Sequence, residues 1–441
     1  MGRKSILILG DDPQIVRACA DLDIGLTVVC GLPNKDFGLP STLDPDRMVF
    51  VEDASNVESV ILGLRRAGTN VADFDAVYST EESGVVTAAA LGKVFGVPSL
   101  PAEVAALFRD KSLAKSALRA VGIRTAEFIV IDDLCDLPAD FSVPFETAVL
   151  KPVAGGATWY TTMIRNERDL QAAVDRVRER RQFRTFILEE FVPGQEWHVD
   201  GVMFRGELQF ISVGGYRRTC LETISSQEWL CTFLYDPTDD ANVYDLVTPF
   251  VERALTTLGL SDGVFHMEVF YDADSGHLAF GECAARRGGG LVEEEIRRKF
   301  GISLAEAAAH CALGMPPVVK PEIRPGVVGA VYLPYSPGAL IRMPTAREVV
   351  GLPGVEYAVV ELPVGFTMSS MKNTLHKAGM ALLSAESREQ LFARADEVIT
   401  WFTERTHIAP PNATARQLRE IAMNVPGTAV PHLAWADKER S

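Results

Sequence analysis

No apolar run in this chain of 441 residues approaches the ~20 needed to span a bilayer. The N-terminal run Ile6-Leu7-Ile8-Leu9 stops at Gly10-Asp11-Asp12, too short for a signal peptide. A soluble, cytoplasmic protein without a membrane partner is therefore expected. Cationic excess is lacking as well: 43 Lys and Arg stand against 59 Asp and Glu, a formal net charge of −16. Such a balance argues against nucleic acid as a partner and leaves room only for a local basic pocket. The seven cysteines (Cys19, Cys30, Cys135, Cys220, Cys231, Cys283 and Cys311) are scattered, odd in number and never spaced C-x-x-C. Reduced thiols are expected, with neither a disulfide framework nor a zinc site. G-x-G-x-x-G is absent after the first strand, which argues against a nicotinamide site, and so is the Walker pattern G-x-x-x-x-G-K-[ST]. G-x-S-x-G and H-E-x-x-H are missing too, so no nucleophile or zinc motif stands out. Internal repeats and low-complexity tracts are not found.

What is present is apolar material, 47% of residues, and a length that calls for two to four structural units. Over residues 1 to 100 strands at Ser5–Leu9, Leu26–Cys30 and Ala76–Tyr78 alternate with helices at Pro13–Ala20, at Val57–Ala67 and ending at Phe95. That alternation predicts a parallel α/β unit. Thr80-Glu81-Glu82-Ser83-Gly84 follows the third strand at the edge where such sheets bind ligands, yet its composition suits a helix cap slightly better. Helices at Ala102–Phe108 and Lys111–Ala120 come next, and Lys111, at the start of the second, would ordinarily be solvated. A strand Thr147–Leu150 runs into Lys151-Pro152-Val153-Ala154-Gly155-Gly156-Ala157-Thr158, ahead of a strand Trp159–Ile164. A Gly-rich tip with a lysine at its base can close over phosphates through backbone N–H groups, although a plain turn explains it equally well.

From Phe186 the pattern turns antiparallel. Strands Phe186–Phe191, Glu196–Phe204 and Leu208–Val213, turning at Pro193-Gly194 and Arg205-Gly206, predict a meander in a separate α+β domain. Residues 214–240 lack periodicity and are expected to form a long loop, functional or mobile. Helices Val292–Phe300 and Leu304–Leu313 and a linker from Met315 to Gly326 follow. Strands Val327–Leu333 and Val355–Leu362 and a helix Glu386–Phe402 then make a small C-terminal α+β unit, with a docked helix and tail over 409–441.

The chemistry concentrates between Asp262 and Gly290. Strands Val264–Tyr271 and His277–Cys283, joined by Asp272-Ala273-Asp274-Ser275-Gly276, read as a hairpin. If Tyr271 faces His277, then Glu268 opposes Phe280 and His266 opposes Glu282. The two carboxylates become diagonal neighbours ~7–8 Å apart on one face, in reach of one divalent cation or a pair. Glu282 shares that face with Leu278 and Phe280, a setting where a carboxylate is costly without a partner. Arg286, Arg287 and Gly288-Gly289-Gly290 add cationic forks and open backbone N–H groups, a combination that suits a metal-bound polyphosphate. A solvated hairpin is the plain alternative.

In this order the pieces resemble the ATP-grasp superfamily, and within it the L-amino-acid ligases that join amino acids into dipeptides, over roughly residues 1–405. The resemblance implies an ATP-grasp fold, α/β and α+β. Its parts are an N-terminal parallel α/β domain over 1–100, a small subdomain with the Gly-rich loop over 101–185, a large antiparallel-sheet subdomain over 186–320, and a C-terminal α+β unit over 321–408. By the same resemblance Lys111 and Lys151 hold the ATP phosphates, and Gly155 and Gly156 belong to the loop closing over them. The backbone of Glu189-Glu190-Phe191-Val192 reads adenine and Glu196 the ribose hydroxyls. Glu268 and Glu282 bind magnesium, two ions with manganese as a substitute. Arg286, with Gly288 and Gly289, contacts the transferred phosphate and the substrate carboxylate, with His266 on the substrate side. His266-x-Glu268, together with the run from Tyr335-Ser336-Pro337-Gly338 to Gly365, points to the dipeptide-ligase branch. Ala284 departs from the family, which commonly carries an Asn metal ligand there; a water or another carboxylate is the expected replacement.

The implied activity is ATP-dependent joining of an amino acid carboxylate to an amine, a second amino acid or a peptide, through an acyl phosphate, giving ADP and phosphate. Catalysis would fall to Arg286, Glu268 and Glu282, because phosphoryl transfer needs positioning and charge neutralisation more than a nucleophilic residue. A homodimer is the expected assembly. An ATP-grasp enzyme acting on a small acid or bicarbonate, and a non-catalytic ATP-binding regulator, are the alternatives.

Overall fold

The computed structural model describes residues 3–31, 47–138, 140–180, 183–226, 228–360, 362, 365–368, 376–410 and 413. The N-terminal unit is a parallel sheet in the order Met48–Val51, Gly25–Gly31, Ser5–Leu9, Ala76–Ser79. Its strands read as nearly continuous apolar runs because helices cover both faces. Asp12 caps the helix Pro13–Asp21 by accepting from the N–H groups of Gln14 and Ile15, so Gly10-Asp11-Asp12 is a strand-to-helix turn. The strand Met48–Val51 was not anticipated; at four residues it is too short to show periodicity.

The next sheet is antiparallel, ordered Phe128–Ile131, Phe186–Glu190, Ala148–Pro152, Thr162–Ile164. Phe186–Glu190 therefore does not belong to a meander with the strands after it. Pro193-Gly194 carries the chain into another sheet, and Gly194, at φ +137°, passes so close to the Tyr271 carbonyl that a Cβ would lie 2.4 Å from its oxygen. Trp159 and Tyr160 are likewise not in a strand. Positive φ values at Ala157, Thr158 and Tyr160 coil the segment, and extended structure resumes only at Thr162. The unanticipated helix Glu167–Arg180 packs Leu170, Ala173, Val174 and Val177 onto this sheet.

The central sheet is ordered Thr232–Leu234, Glu207–Tyr216, Gln195–Phe204, Gly263–Asp272, His277–Ala284. One face packs Trp197, Val199, Met267, Val269, Leu278 and Phe280 into the largest apolar cluster, with the helix Ala241–Leu258 laid against it. Residues 214–240 are not one long loop: they hold the end of a strand, the helix Cys220–Ser226 and the strand Thr232–Leu234. The C-terminal sheet, Val327–Leu333, Gly379–Ala385, Val355–Val360, and the helix Arg388–Arg405 share that cluster through Val331, Leu383 and Phe402. The expected helix and tail over 409–441 lie almost wholly outside the described residues. All seven cysteines are free thiols, and no described helix is long and apolar enough to cross a membrane.

Candidate active site

The hairpin pairs one residue out of the expected register: Asp272 faces His277 and Tyr271 faces Leu278. Continued unbroken, that pairing would put Glu282 on the face opposite to Glu268. A bulge at Gly281 prevents this, so that Val269 faces Phe280 while Glu268 faces Glu282. The carboxylates are direct cross-strand partners, not diagonal ones. Leu278 and Phe280 turn into the core instead of sharing the face of Glu282. Only glycine fits the bulge comfortably, because a Cβ at 281 would stand 2.9 Å from the Glu268 carbonyl oxygen and 3.0 Å from the Phe270 ring.

Glu268 and Glu282 open into a cavity of about 930 Å³ bordered by every sheet of the protein's first three units, large enough for a nucleotide and a further small ligand. Lys111, 8% exposed rather than solvated, pairs with Glu282 at 3.1 Å and donates to the Gly155 carbonyl at 2.7 Å. Asp110 caps its helix and so fixes its base. Lys151 pairs with Glu189 at 3.0 Å, and Lys115, which sequence reasoning missed, faces the other oxygen of Glu189 at 3.3 Å. Burial would raise Glu189, but the two lysines hold its carboxyl below the ordinary range. Burial in turn lowers Lys115 to about 8. Glu282 is held down to about 2 by Lys111 and Lys151 against the opposing effect of burial. Glu268, buried beside Glu282, is pushed well up. The two carboxylates oppose each other's ionisation, and a divalent cation between them would relieve that repulsion.

Glu196 lines the same cavity, accepts from the Cys220 N–H at 2.7 Å and is raised by burial to about 7. Glu190, Phe191 and Val192 line it too. The N–H groups of Glu190 and Phe191 are already bonded to the carbonyls of Glu127 and Thr147. Arg286 donates to Glu82 at 2.9 Å, and Arg109 lies 3.8 Å from the other oxygen of Glu82. Glu81 and Gly84 stand at the N-caps of the turn Glu82–Gly84 and the helix Val85–Phe95, without side-chain cap hydrogen bonds, and Thr80, Glu81, Glu82 and Ser83 also form a wall of the cavity. Arg287 grips the capping residue Asp12 through both carboxylate oxygens, tying the N-terminal unit to the site.

His266 faces Asp200 across one strand pair and Ala284 across the other, and its Nδ1 lies 2.8 Å from Asp200. Asp200 also meets His198 Nδ1 at 2.8 Å. The two imidazoles hold the buried Asp200 below its ordinary range despite desolvation. These three residues could gather a cation, but each imidazole is engaged by its own oxygen of Asp200, and hydrogen bonding accounts for the cluster. The chain passes directly over it: a Cβ at Gly288 would come within 2.7 Å of Asp200. His198 and Asp200 were missed, although Glu196-Trp197-His198-Val199-Asp200 alternates polar and apolar with period two and so announces a polar face. Gly155, Gly156, Gly288 and Gly289 all line the cavity.

A Gly-rich loop, a carboxylate pair and buried lysines lie between two antiparallel sheets, and residues 144–295 match the model of the ATP-grasp domain: the chain carries an ATP-grasp domain and is by class an ATP-binding carbon–nitrogen ligase. Among individual proteins it is similar to the L-arginine-specific L-amino acid ligase of Bacillus subtilis, 26% identical over 314 residues, 70% of this chain and 75% of that one. The solved L-amino acid ligase from Bacillus licheniformis superposes with a TM-score of 0.74 at 21% identity, covering 93% of this chain and 100% of that chain. A carboxyaminoimidazole ribonucleotide synthase from Aspergillus clavatus, complexed with ATP, superposes with a TM-score of 0.69 at 16% identity, covering 91% and 99%.

Proposed function

We propose that this enzyme joins the carboxylate of one amino acid to the amino group of a second amino acid or peptide, using ATP. The observation that carries this reading is the convergence of Lys111, Lys151, Glu268, Glu282 and Arg286 on one cavity. Lys111 and Lys151 would bind the phosphates, with Gly155-Gly156 closing over them. The segment 189–192 would read the base through Val192 and its carbonyl groups, and Glu196 would take the ribose hydroxyls. Glu268 and Glu282 fit a divalent ion, magnesium by the chemistry of their oxygens, which when bound would neutralise the polyphosphate.

In the first step a carboxylate oxygen of the donor amino acid attacks the γ-phosphorus, the bond to the β-phosphate oxygen breaks and ADP leaves. Arg286, 22% exposed and anchored by Glu82, stands ready to offset the charge on the transferred group. In the second step the amine nitrogen attacks the acyl carbon, the bond to the phosphate oxygen breaks, and phosphate and one proton are released. The site supplies charge and orientation, so no covalent protein nucleophile is required.

Ala284, with a methyl group opposite His266, offers no ligand atom; water completing the coordination is consistent with the reluctance of magnesium to dehydrate. Phosphate release measured against all pairs of amino acids, with mass spectrometry of the products, tests the reading. A condensed dipeptide with one phosphate per bond is expected. Phosphate release only with small non-amino acids, or tight ATP binding without turnover, would overturn it.

A further inference from the structure

Another carboxylate lines the same cavity without a role in the steps above. Glu295 lies in the helix Val292–Phe300 and is 1% exposed. Its Oε1 accepts from the Thr232 hydroxyl at 2.5 Å, and the Thr232 oxygen in turn accepts from the Ala330 N–H at 3.1 Å. Leu230, Thr232, Ala330 and Tyr332 border the cavity around it. The preceding acids of the helix serve the fold: Glu293 accepts from Arg297, Ser303 and the Ala305 N–H, and Glu294 from Gln14.

Glu295 differs from Glu293, which pairs with Arg297, and from Glu294, on which the charge of Arg287 acts. No ion pair joins it to a cation among the described residues, and the charges that act on it most are those of Asp200 and Glu294, both anionic. Lys377 also lines the cavity, with its Nζ over the Tyr332 ring at 5.4 Å. A carboxyl group buried against a cavity without a counter-charge is costly to the fold, and an amide at 295 would keep a hydrogen bond to Thr232 without that cost. Burial pushes the group up to about 8, so an arriving cation would find a carboxyl ready to ionise against it.

We propose that Glu295, oriented by Thr232, recognises a protonated nitrogen of a substrate amino acid, either its α-ammonium or an ammonium on its side chain. This deepens the ligase reading and rests on it for the identity of the ligand. Glu295 is a specificity-determining residue here, with no part in bond making. The charge-assisted hydrogen bond would orient the substrate relative to Arg286 and the phosphate, and discriminate against acids that lack the nitrogen.

Four six-carbon acids test this and separate the two sources. L-Lysine carries both cations, L-norleucine the α-ammonium alone, 6-aminohexanoate the terminal ammonium alone, and hexanoate neither. Their binding to the full chain is read by calorimetry with magnesium and a non-hydrolysable ATP analogue, so no turnover is needed. At least one amine-bearing acid should bind about 10- to 100-fold more tightly than hexanoate, the range expected of a hydrogen bond to a charged group. Glu295→Gln should remove that preference and leave hexanoate unchanged. A loss confined to lysine and norleucine assigns the α-ammonium, and one confined to lysine and 6-aminohexanoate the side chain. Equal binding of all four acids to the wild type, or a preference that survives Glu295→Gln, overturns the proposal. Should that variant not fold, Thr232→Val takes its place, and an undiminished preference there overturns it equally. Absence of phosphate release in every amino-acid mixture would sink the ligase reading instead, and leaves this binding comparison intact.

Discussion

Replacing Glu295 by Gln should remove one component of the pH dependence of stability. The folded-state pKa of Glu295, about 8, lies above its ordinary 4.5 because burial disfavours the charged form. The folded protein therefore keeps a proton that the unfolded chain gives up. Stability from this group is fully present below about pH 4.5 and is lost as the pH rises through about 8. At ~1.4 kcal/mol for each unit of difference, the wild type loses roughly 4 kcal/mol between pH 5 and pH 9 that the uncharged, isosteric variant retains. With ~2–4 °C per kcal/mol for a unit of this size, the melting midpoint of Glu295→Gln should match wild type at pH 5 and exceed it by ~8 °C or more at pH 9. Scanning fluorimetry of the ligand-free proteins in matched buffers reads this directly. Parallel midpoint curves across that range would refute the argument and mean that water reaches Glu295 freely.

Glu282→Gln should still fold, with a lowered melting midpoint because Lys111 loses its partner, and should lower magnesium-dependent phosphate release by at least ~100-fold, since it removes charge where the polyphosphate must be neutralised. Wild-type turnover in a folded variant would sink the metal assignment. Lys151→Ala should raise the ATP concentration for half-maximal rate by about tenfold or more, as a fixed cation beside the phosphates is lost; unchanged ATP affinity and rate would reduce Lys151 to a structural partner of Glu189. Ala284→Asn should lower the magnesium concentration for half-maximal rate without changing which amino acids are joined, because it adds an oxygen ligand and no charge. No shift, with wild type already saturated once all ATP is complexed, would mean that the second ion has another ligand or is not used.

Much of the site was legible because its residues lie close together in sequence or at strand periodicity. Glu268, Glu282 and Arg286 fall within one hairpin and its exit, and a convergent carboxylate pair survived an error in register. The error was physical: turn composition does not fix pairing to one residue, and the bulge at Gly281, where close approach to the Glu268 carbonyl requires glycine, leaves only that glycine as its trace. Lys111 looked like a solvated helix start, since its burial depends on Glu282 and Gly155, 171 and 44 residues away in the chain. Thr232 and Glu295 meet only through packing of the outermost central strand against a later helix, a contact no local pattern reports. The helix Ala241–Leu258 was legible but unread, with Val243, Val247, Val251 and Leu255 at successive spacings of four, although Pro249 lies inside it. The parallel N-terminal unit was the easiest to read, because its strands are buried on both faces and alternate regularly with helices.

Oxygen transfer tests the central claim most directly. The amino acid that gives the fastest phosphate release is supplied with both carboxylate oxygens as 18O, and the released phosphate is analysed by mass spectrometry. Attack of the carboxylate on the γ-phosphorus, followed by displacement at the acyl carbon, predicts one 18O in each phosphate and ADP as the only nucleotide product. Unlabelled phosphate alongside a labelled dipeptide, or release of AMP and pyrophosphate, would contradict the account.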